Sequence, residues 1–373
     1  MMAAFKKLII LISFPLLIAC QEVYNPDDID ADLQIPVIEG YIHDGPGPYK
    51  VELFWAAGFN DRGYTAIKDA LVTISDNYGN TEILTEPGDG RYFSDEGGIR
   101  GTAGRLYTLH VELPDGSIYE SVPVLMQPAD VIDTIYAEIG AKEFTSRNMY
   151  GDLLIDKVEG LHVYIDMNSK STERHFFRYS SRVVSQSQHF ILVSYMPDTT
   201  NPFLVITEPV DVYCWNSWSL SDIVNVKATI TSNNEQVIKK HNLGFLPYIY
   251  NPSMQDSTTG PSRPSGWIVT TTAYSISEDA YEYYNSIFTQ LRAEERIFDP
   301  LPSQITGNIH CLSDTGKLVL GLFEAATKTS RHTAFDWSTG RHTYSLLNLP
   351  EYSAPASNSC QDSTKPDFWI TFQ

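Results

Sequence analysis

Tyr107-Thr108-Leu109-His110-Val111-Glu112-Leu113 is the stretch that decides the fold class. Apolar and polar side chains alternate along it, so one set faces a core and the other faces water, as in a half-buried β-strand. Val72-Thr73-Ile74-Ser75 alternates in the same way. The chain also contains 22 Tyr and 17 Phe, together with many Val, Ile and Thr. Aromatic and β-branched residues favour strands over helices, and we therefore expect a mostly β protein.

Further strand-like runs surround this stretch, and the turns between them contain Gly, Pro, Asn or Asp. Between residues 33 and 123 the runs are Pro36–Ile42, Tyr49–Trp55, Ala70–Ser75, Glu82–Glu86, Arg91–Ser94, Leu106–Leu113 and Ile118–Val122. Short strands at this spacing are typical of a β-sandwich. The sequence therefore predicts an immunoglobulin-like sandwich over residues 33–123.

Strand signals continue through residues 129–373, which we predict to form a larger, β-rich second domain. Ser275–Arg296 differs, because its apolar residues recur at helical spacing. Ser275 and Glu278 have the spacing of a capping box, and Asp299-Pro300 would end the helix. The sequence therefore predicts one amphipathic helix near residues 276–296, packed on a sheet.

The amino terminus has the pattern of a bacterial lipoprotein signal. Lys6 and Lys7 precede an apolar run from Leu8 to Ile18, and the run closes with Leu17-Ile18-Ala19-Cys20. The run is too short to cross a bilayer as a helix. A positive region, an apolar region and a small residue before cysteine together indicate a cleaved leader.

We therefore predict a signal peptide over residues 1–19, with lipid attached at Cys20. Residues 20–32 would form an acidic tether that joins the lipid bilayer to the folded chain. Gln21 after the cysteine favours the outer membrane, although the side of that membrane stays open. The alternatives are an ordinary leader in which Cys20 is accidental and a membrane anchor that stays uncleaved.

The charge balance is strongly acidic. The chain has 26 Lys and Arg against 46 Asp and Glu, a net charge of −20, and loss of the leader removes Lys6 and Lys7 to give −22. Binding to nucleic acid depends on basic residues that neutralise phosphates, so this excess of carboxylates argues against it. It also argues against electrostatic attraction to anionic lipid, and the membrane contact would depend on the acyl chains.

Three cysteines remain beside Cys20, namely Cys214, Cys311 and Cys360. An oxidising compartment allows one disulfide among them. We favour Cys311 with Cys360, because Cys360 lies in a loop rich in Ser, Pro and Asn that a bridge would fix. Closing that loop would stabilise the fold by roughly 4 kcal/mol in the chain-entropy model. The other pairings stay open.

Signals of catalysis or metal binding are weak, and we expect no cofactor and no metal. The sequence has no nucleophile elbow, zinc-protease helix or phosphate loop. His332 and His342 flank Asp336 and Trp337, but solvated histidines beside a turn explain this spacing better. Asp76, Asn80 and Glu82 offer oxygen ligands for Ca²⁺, yet a hairpin turn accounts for them more simply.

Aromatic residues give the one positive indication of recognition. Tyr248, Tyr250 and Trp267 occur in or near predicted connections, as do Trp215, Trp218 and Tyr274. Exposed rings can stack on sugars or anchor a protein partner. We take Tyr248, Tyr250 and Trp267 as candidate contact residues, while core packing remains the simpler explanation of most of these rings.

The sequence also resembles a lipoprotein family of unknown function found in Bacteroidetes-type bacteria. The resemblance rests on segments spread over nearly the whole mature chain. They include Val37-Ile38-Glu39-Gly40, Gly101-Thr102-Ala103-Gly104-Arg105, Tyr213-Cys214-Trp215, Gly307-Asn308-Ile309-His310-Cys311 and Pro366-Asp367-Phe368-Trp369. Relatives usually have Gly-Tyr-Phe at Gly321-Leu322-Phe323. The resemblance implies an envelope lipoprotein often encoded beside TonB-dependent outer-membrane transporters, with no known catalytic residue.

Two functions are consistent with these observations. The first is a non-catalytic binding or accessory subunit of a TonB-dependent transporter, which meets its partner through the second domain. The second is a surface hydrolase acting on glycan or peptide, with its catalytic carboxylates among the 46 acidic residues. A pair of carboxylates in a concave cleft would favour the hydrolase.

Overall fold

The computed structural model describes residues 35–56, 64–169, 171–195, 205–221, 224–232, 234–247, 263–293, 305–336 and 343–346. Within these residues the chain forms twenty strands and one helix, which confirms the mostly β prediction. Within the described residues, no helix is long and apolar enough to cross a bilayer.

The first nine strands belong to the amino-terminal part. They are β1 (Pro36–His43), β2 (Lys50–Trp55), β3 (Thr65–Ala66), β4 (Leu71–Asp76), β5 (Thr81–Ile83), β6 (Arg91–Phe93), β7 (Leu106–Glu112), β8 (Ile118–Ser121) and β9 (Val124–Leu125). Each of the seven runs predicted over residues 33–123 overlaps one of these strands, although Glu82–Glu86 shares only Glu82 and Ile83 with β5. β3 and β9, of two residues each, carry no alternation and could not be recognised.

The remaining strands are longer, and one helix interrupts them. They are β10 (Ile132–Arg147), β11 (Leu153–Ser169), β12 (Phe176–Tyr195), β13 (Ile206–Ser219), β14 (Asn225–Ala228), β15 (Ile230–Ser232), β16 (Glu235–Pro247), β17 (Arg263–Ile276), α1 (Glu278–Ala293), β18 (Ile309–Cys311), β19 (Leu320–Asp336) and β20 (Thr343–Leu346).

Three sheets are built from these strands. The largest has the order β13-β12-β17-β19-β1-β2-β3. In addition, β14 pairs with β12, β20 pairs with β19 and β6 pairs with β2. A four-stranded sheet has the order β10-β11-β16-β15, and a six-stranded sheet has the order β18-β8-β7-β4-β5, with β9 beside β7. The largest sheet is shared by both halves of the chain, because β1 pairs in parallel with β19 from Val37↔Leu320 to His43↔Ala326.

The front sandwich packs β1, β2 and β6 against the six-stranded sheet. Its core includes Ile38, Tyr49, Tyr92, Tyr107 and Leu109, and also Ile309, Cys311, Phe323 and Ala325 from the far end of the chain. β18 pairs with β8, in the register Ile309↔Ser121. The sandwich predicted over residues 33–123 is therefore completed by strands that the sequence had placed in the second domain.

The back sandwich packs β12, β17 and β19 against the four-stranded sheet. Its core contains Ile135, Val163 and Ile165 from one side and Phe177, Val183 and Val269 from the other. Both halves of the chain contribute a sandwich, and the central sheet runs through both of them.

Helix α1 lies on the outer face of the central sheet. Ala280 is fully buried beside Phe176, Ile276 and Leu322. The predicted helix is confirmed, but its predicted capping box is wrong, because Ser275 is buried in β17. Instead the Ser277 hydroxyl accepts a hydrogen bond from the Ala280 amide at 3.2 Å and caps the first turn.

A buried ion pair lies between the sheet and this helix. The Arg178 Nε donates to Glu324 Oε2 at 2.9 Å, and its Nη2 donates to Oε1 at 2.6 Å. The guanidinium carbon lies 4.2 Å from the centre of the Tyr274 ring and 5.6 Å from that of Tyr284. β12, β17, β19 and α1 therefore meet at one charged contact.

Candidate functional site

Two long hairpins extend from one end of the back sandwich. β11 ends at Ser169 and β12 begins at Phe176, and across this junction Ser169 Oγ lies 3.4 Å from His175 Nδ1. β11 runs towards the junction and β12 runs away from it. Because the strands of a packed sandwich are roughly aligned, the β10–β11 and β12–β13 hairpins extend from the opposite end together. We call this the distal end.

Among the described residues of the distal end, the most exposed apolar side chains belong to the β10–β11 hairpin. Met149 and Tyr150, in its turn, are 88% and 82% exposed. Leu153, Leu154 and Ile155, which follow the turn, are exposed as well. The sequence analysis did not identify this segment, although the run Met149-Tyr150-Gly151-Asp152-Leu153-Leu154-Ile155 could have been recognised as an apolar hairpin turn.

β13 forms the edge of the central sheet, and it exposes aromatic side chains. Tyr213 is 43% exposed and Trp218 is 37% exposed. Tyr213 pairs across the ladder with Gln188 and Trp218 pairs with Val183, so the two rings lie on opposite faces of the strand. Trp215 and Trp218 were predicted to lie in a connection between strands. That prediction is wrong, because both are in β13, which extends to Ser219.

A polar cleft lies where α1 approaches the front sandwich. It has a volume of about 320 Å³ and is lined by Asp279, Glu282, Tyr283, Asn308 and His310, among others. Asp279 and Glu282 are both exposed to solvent. A glycosidase holds its acid in a desolvated pocket, and neither of these carboxylates is desolvated.

Ser169, His175 and Asp130 form a hydrogen-bonded cluster at the junction of β11 and β12. Asp130 Oδ2 lies 2.5 Å from His175 Nδ1, and Ser169 Oγ approaches the same nitrogen while donating to Asp130 Oδ1 at 2.9 Å. The hydrogen bond to Asp130 raises the pKa of His175. In a Ser-His-Asp triad the serine and the aspartate contact different ring nitrogens. This cluster therefore joins strands and does not match a nucleophilic triad.

A second histidine, His241, is half-buried and makes stability depend on pH. His241 Nε2 lies 2.6 Å from Asn225 Oδ1, and the Tyr179 ring packs against the imidazole. Burial, with the nearby charge of Lys227, lowers the pKa of His241 to about 4. The unfolded chain would bind this proton near pH 6.5, so stability is fully present above that pH and is lost as pH falls towards 4.

We therefore expect the free energy of unfolding to fall by about 2 kcal/mol between pH 7 and pH 5 through His241 alone. Urea unfolding of the wild-type chain and of His241→Gln, at both pH values, measures this contribution. The variant should lose less stability on acidification than the wild type. Equal losses in the two proteins would contradict the assignment.

The structure places three of the residues singled out from the sequence in buried positions. Trp267 is 2% exposed and packs in the core of the back sandwich, so its indole is not available to a partner. His332 is buried, and its Nδ1 lies 2.8 Å from Thr270 Oγ1, which rules out the expected solvated histidine. Cys311 is buried in the front core, with its Sγ 3.3 Å from Ser313 Oγ.

The turn at Asp76 has the structure expected of a hairpin. Asp76 Oδ1 accepts hydrogen bonds from the amides of Tyr78 and Asn80, and Asp76 Oδ2 accepts one from Arg105. Glu82 Oε1 accepts a hydrogen bond from the Asp95 amide at 2.7 Å. The side-chain oxygens of Asp76 and Glu82 therefore accept hydrogen bonds from the turn and from neighbouring segments. Among the described residues, no group of three or more His, Cys, Asp and Glu could hold a metal ion.

Some predicted residues lie outside the described residues. They are Cys20, Tyr248, Tyr250, Trp337, His342 and Cys360. Lipid attachment at Cys20, the Cys311–Cys360 bridge and the contact role of the two tyrosines therefore stay predictions.

Comparison with known families identifies a single domain type. The family described as "Domain of unknown function (DUF4249)" matches residues 21–332, which is most of the chain. No curated protein matches the sequence significantly. The match begins one residue after Cys20 and ends within β19, so it includes the front sandwich, α1 and most of the back sandwich. The chain therefore belongs to the DUF4249 family, a family of unknown function.

Proposed function

We propose that this chain is a non-catalytic lipoprotein of the bacterial outer membrane, held by acylated Cys20, and an accessory or binding subunit of a TonB-dependent transporter. The observation that carries the proposal is the exposed edge strand β13 with Tyr213 and Trp218. The tether over residues 20–32 and the resemblance to transporter-associated lipoproteins support the same function.

An edge strand is suited to contact with another protein. The outer backbone N–H and C=O groups of such a strand can pair with a further strand, and proteins usually cover or interrupt long exposed edges. β13 has fourteen residues, and no other described strand pairs with its outer side. Trp and Tyr are also the residues that most often dominate binding energy at protein interfaces. The two aromatic residues on β13 therefore favour a protein partner.

The arrangement of the polar residues supports a role without catalysis. Asp130, His175 and Ser169 join strands, and the carboxylates of the cleft beside α1 are solvated. A hydrolase nevertheless remains the alternative, and Asp279 and Glu282 would be its acidic residues.

Affinity purification from outer membranes tests the proposal. We expect the wild-type chain to co-purify with a TonB-dependent transporter, identified by mass spectrometry. Cys20→Ser should move the chain to the soluble fraction. Trp218→Ala combined with Tyr213→Ala should lower transporter recovery at least about tenfold, because truncation of aromatic residues that dominate an interface has effects of this size. Tyr78→Ala is the matched control, since Tyr78 is also exposed but lies on the front sandwich.

Melting curves must first show that the β13 variant is folded. Unchanged transporter recovery with a folded variant would contradict the assignment of β13. Membrane retention of Cys20→Ser in cells lacking the transporter would contradict the lipid anchor. Hydrolysis of glycan or peptide by the purified chain, abolished by Glu282→Gln, would favour the hydrolase.

A further inference from the structure

The turn of the β10–β11 hairpin satisfies its own polar groups. Asn148 Oδ1 accepts hydrogen bonds from the amides of Tyr150 and Asp152, each at 2.9 Å. The Gly151 amide donates to the Asn148 carbonyl at 2.9 Å, and Asn148 Nδ2 donates to Asp152 Oδ2 at 3.0 Å. The polar groups of this turn that make these hydrogen bonds therefore do not need water as a hydrogen-bond partner.

The same turn occurs a second time in the chain, at the end of β4. Asp76 accepts amides two and four residues ahead, as Asn148 does, and Gly79 has a positive φ like Gly151. The sequences are Asp76-Asn77-Tyr78-Gly79-Asn80 and Asn148-Met149-Tyr150-Gly151-Asp152. Because the geometry is shared, it does not explain why the second copy is apolar.

The neighbouring residues differ in a way that the turn does not require. Asn77, Thr81 and Glu82 of the front turn correspond to Met149, Leu153 and Leu154 of the distal turn. Residues 148–155 contain one charged residue, Asp152, in a chain of net charge −20. The tip is therefore a nearly uncharged, apolar segment on a strongly acidic protein.

Apolar side chains lie on both faces of this ribbon. Residues alternate across a strand, so Leu153 and Ile155 share one face and Leu154 lies on the other. All three are exposed, as are Met149 and Tyr150 at the turn. A flat protein surface would cover one face only. The apolar side chains on both faces can leave water only if their surroundings enclose the tip from both sides.

Over the residues that the structure describes, the ribbon extends beyond its pairing with β16. The last described pairing of β11 with β16 is Gly160↔Pro247, whereas β10 and β11 continue pairing for seven more positions, from Ala141↔Glu159 to Arg147↔Leu153. At the usual rise of a strand this is about 20–25 Å. A two-stranded hairpin is marginally stable in water. Burial of the tip would therefore stabilise the ribbon.

From these features we infer that residues Met149–Ile155 insert into the interfacial region of a phospholipid bilayer. Interfacial segments bury apolar side chains about 5–10 Å into the boundary between headgroups and acyl chains, and tyrosine is enriched at the membrane–water interface. Asp152 stays hydrogen-bonded to Asn148 within the turn. The attraction is apolar, because the chain's acidity opposes binding to anionic headgroups.

The inference rests on the proposed membrane tether. At most about 50 Å of extended chain can separate Cys20 from Ile35, so Ile35 stays within that distance of the bilayer. Ile35 precedes β1 at the end of the front sandwich away from the tip, so the tip reaches the bilayer when the folded part lies along the membrane. The surface that inserts is distinct from the β13 edge. Lipid contact by the hairpin and transporter contact by β13 are therefore separable by experiment.

Fluorescence quenching tests the inference. Lipidated full-length chain carrying Tyr150→Trp is reconstituted into vesicles of phosphatidylethanolamine and phosphatidylglycerol with brominated phosphatidylcholine, and the wild-type signal is subtracted. We expect the new indole to be blue-shifted and strongly quenched. Tyr78→Trp, in the matching front turn, should stay unquenched. About 1 M NaCl should not reduce the quenching at position 150, because salt at this concentration screens charges beyond about 3 Å and the attraction of the tip is apolar.

A second substitution keeps the test specific. Leu154→Ser in the Tyr150→Trp chain should lower the insertion equilibrium about tenfold, since one large apolar side chain is lost from the buried set. Mass spectrometry of the N-terminal peptide first shows that the acyl chains are present, so a failed anchor is distinguished from a tip that stays in water. A lipidated chain with an unquenched indole at position 150 would overturn the inference. Crosslinking of a photoreactive residue at position 150 to protein alone, with no lipid quenching, would overturn it in favour of a protein pocket.

Discussion

Gly321→Ala is expected to prevent this chain from folding stably. Gly321 has a φ of 103°, which L residues rarely adopt. A Cβ at this position would overlap the carbonyl of Ile38, its partner in the parallel ladder between β1 and β19. This carbonyl belongs to the backbone of β1, so it cannot move aside as the end of a flexible side chain could. The strained φ and the overlap together should cost more than about 4 kcal/mol of unfolding free energy.

Gly79→Ala is the matched control for this prediction. Gly79 also has a positive φ, of 88°, but a Cβ there meets nothing within 4 Å. It should cost only about 1 kcal/mol, the price of the backbone conformation alone. Urea unfolding of both variants, or soluble yield if Gly321→Ala does not fold, measures the difference. Equal stability of the two variants would show that the contact between β1 and β19 tolerates a side chain.

Arg178→Met should lower the unfolding free energy by about 3–5 kcal/mol, because it leaves the Glu324 carboxylate buried without its partner. Glu324 is 3% exposed and receives two hydrogen bonds from Arg178. The substitution also removes the cation from the faces of Tyr274 and Tyr284. Since Tyr284 is on α1, the packing of the helix on the central sheet should weaken as well.

The double variant Arg178→Met with Glu324→Leu separates charge from packing. An apolar pair of similar size has no buried charge to compensate, so most of the lost stability should return. Denaturant unfolding of the single and double variants, near pH 7, gives the coupling between the two positions. A double variant as unstable as Arg178→Met would mean that the guanidinium acts mainly through its aromatic contacts.

Local sequence pattern predicted the strands of the front sandwich well. Each run with period-two alternation, such as Leu106–Leu113, corresponds to an observed strand. The helix was predicted within a few residues because its apolar spacing is distinctive. The length of the long strands is less evident from the sequence. Phe176–Val184 and His189–Val193 have the pattern of two separate strands, but both are parts of the single strand β12. Polar residues between them interrupted the pattern without ending the strand.

Candidate site residues were harder to predict, because exposure depends on distant parts of the chain. Trp267 and Trp218 are both tryptophans in strands, and sequence could not show which one lies inside. Trp267 is covered by the four-stranded sheet, whereas Trp218 is on the outermost strand of the central sheet. The exposed tip at Met149–Ile155 was missed for a related reason, since its apolar residues resemble those of a core strand.

The sequence by itself determined the mostly β class, the front strands, the single helix of the described chain, the acidic charge and the family. These properties depend on side-chain periodicity, composition and local turn chemistry, which act over a few residues. The tertiary structure alone decided that β19 joins β1, that β18 completes the front core, and that Glu324 meets Arg178. It also decided which apolar side chains stay in water. Such pairings join residues more than a hundred positions apart, and their free energy comes from burying both partners together, which no local pattern encodes.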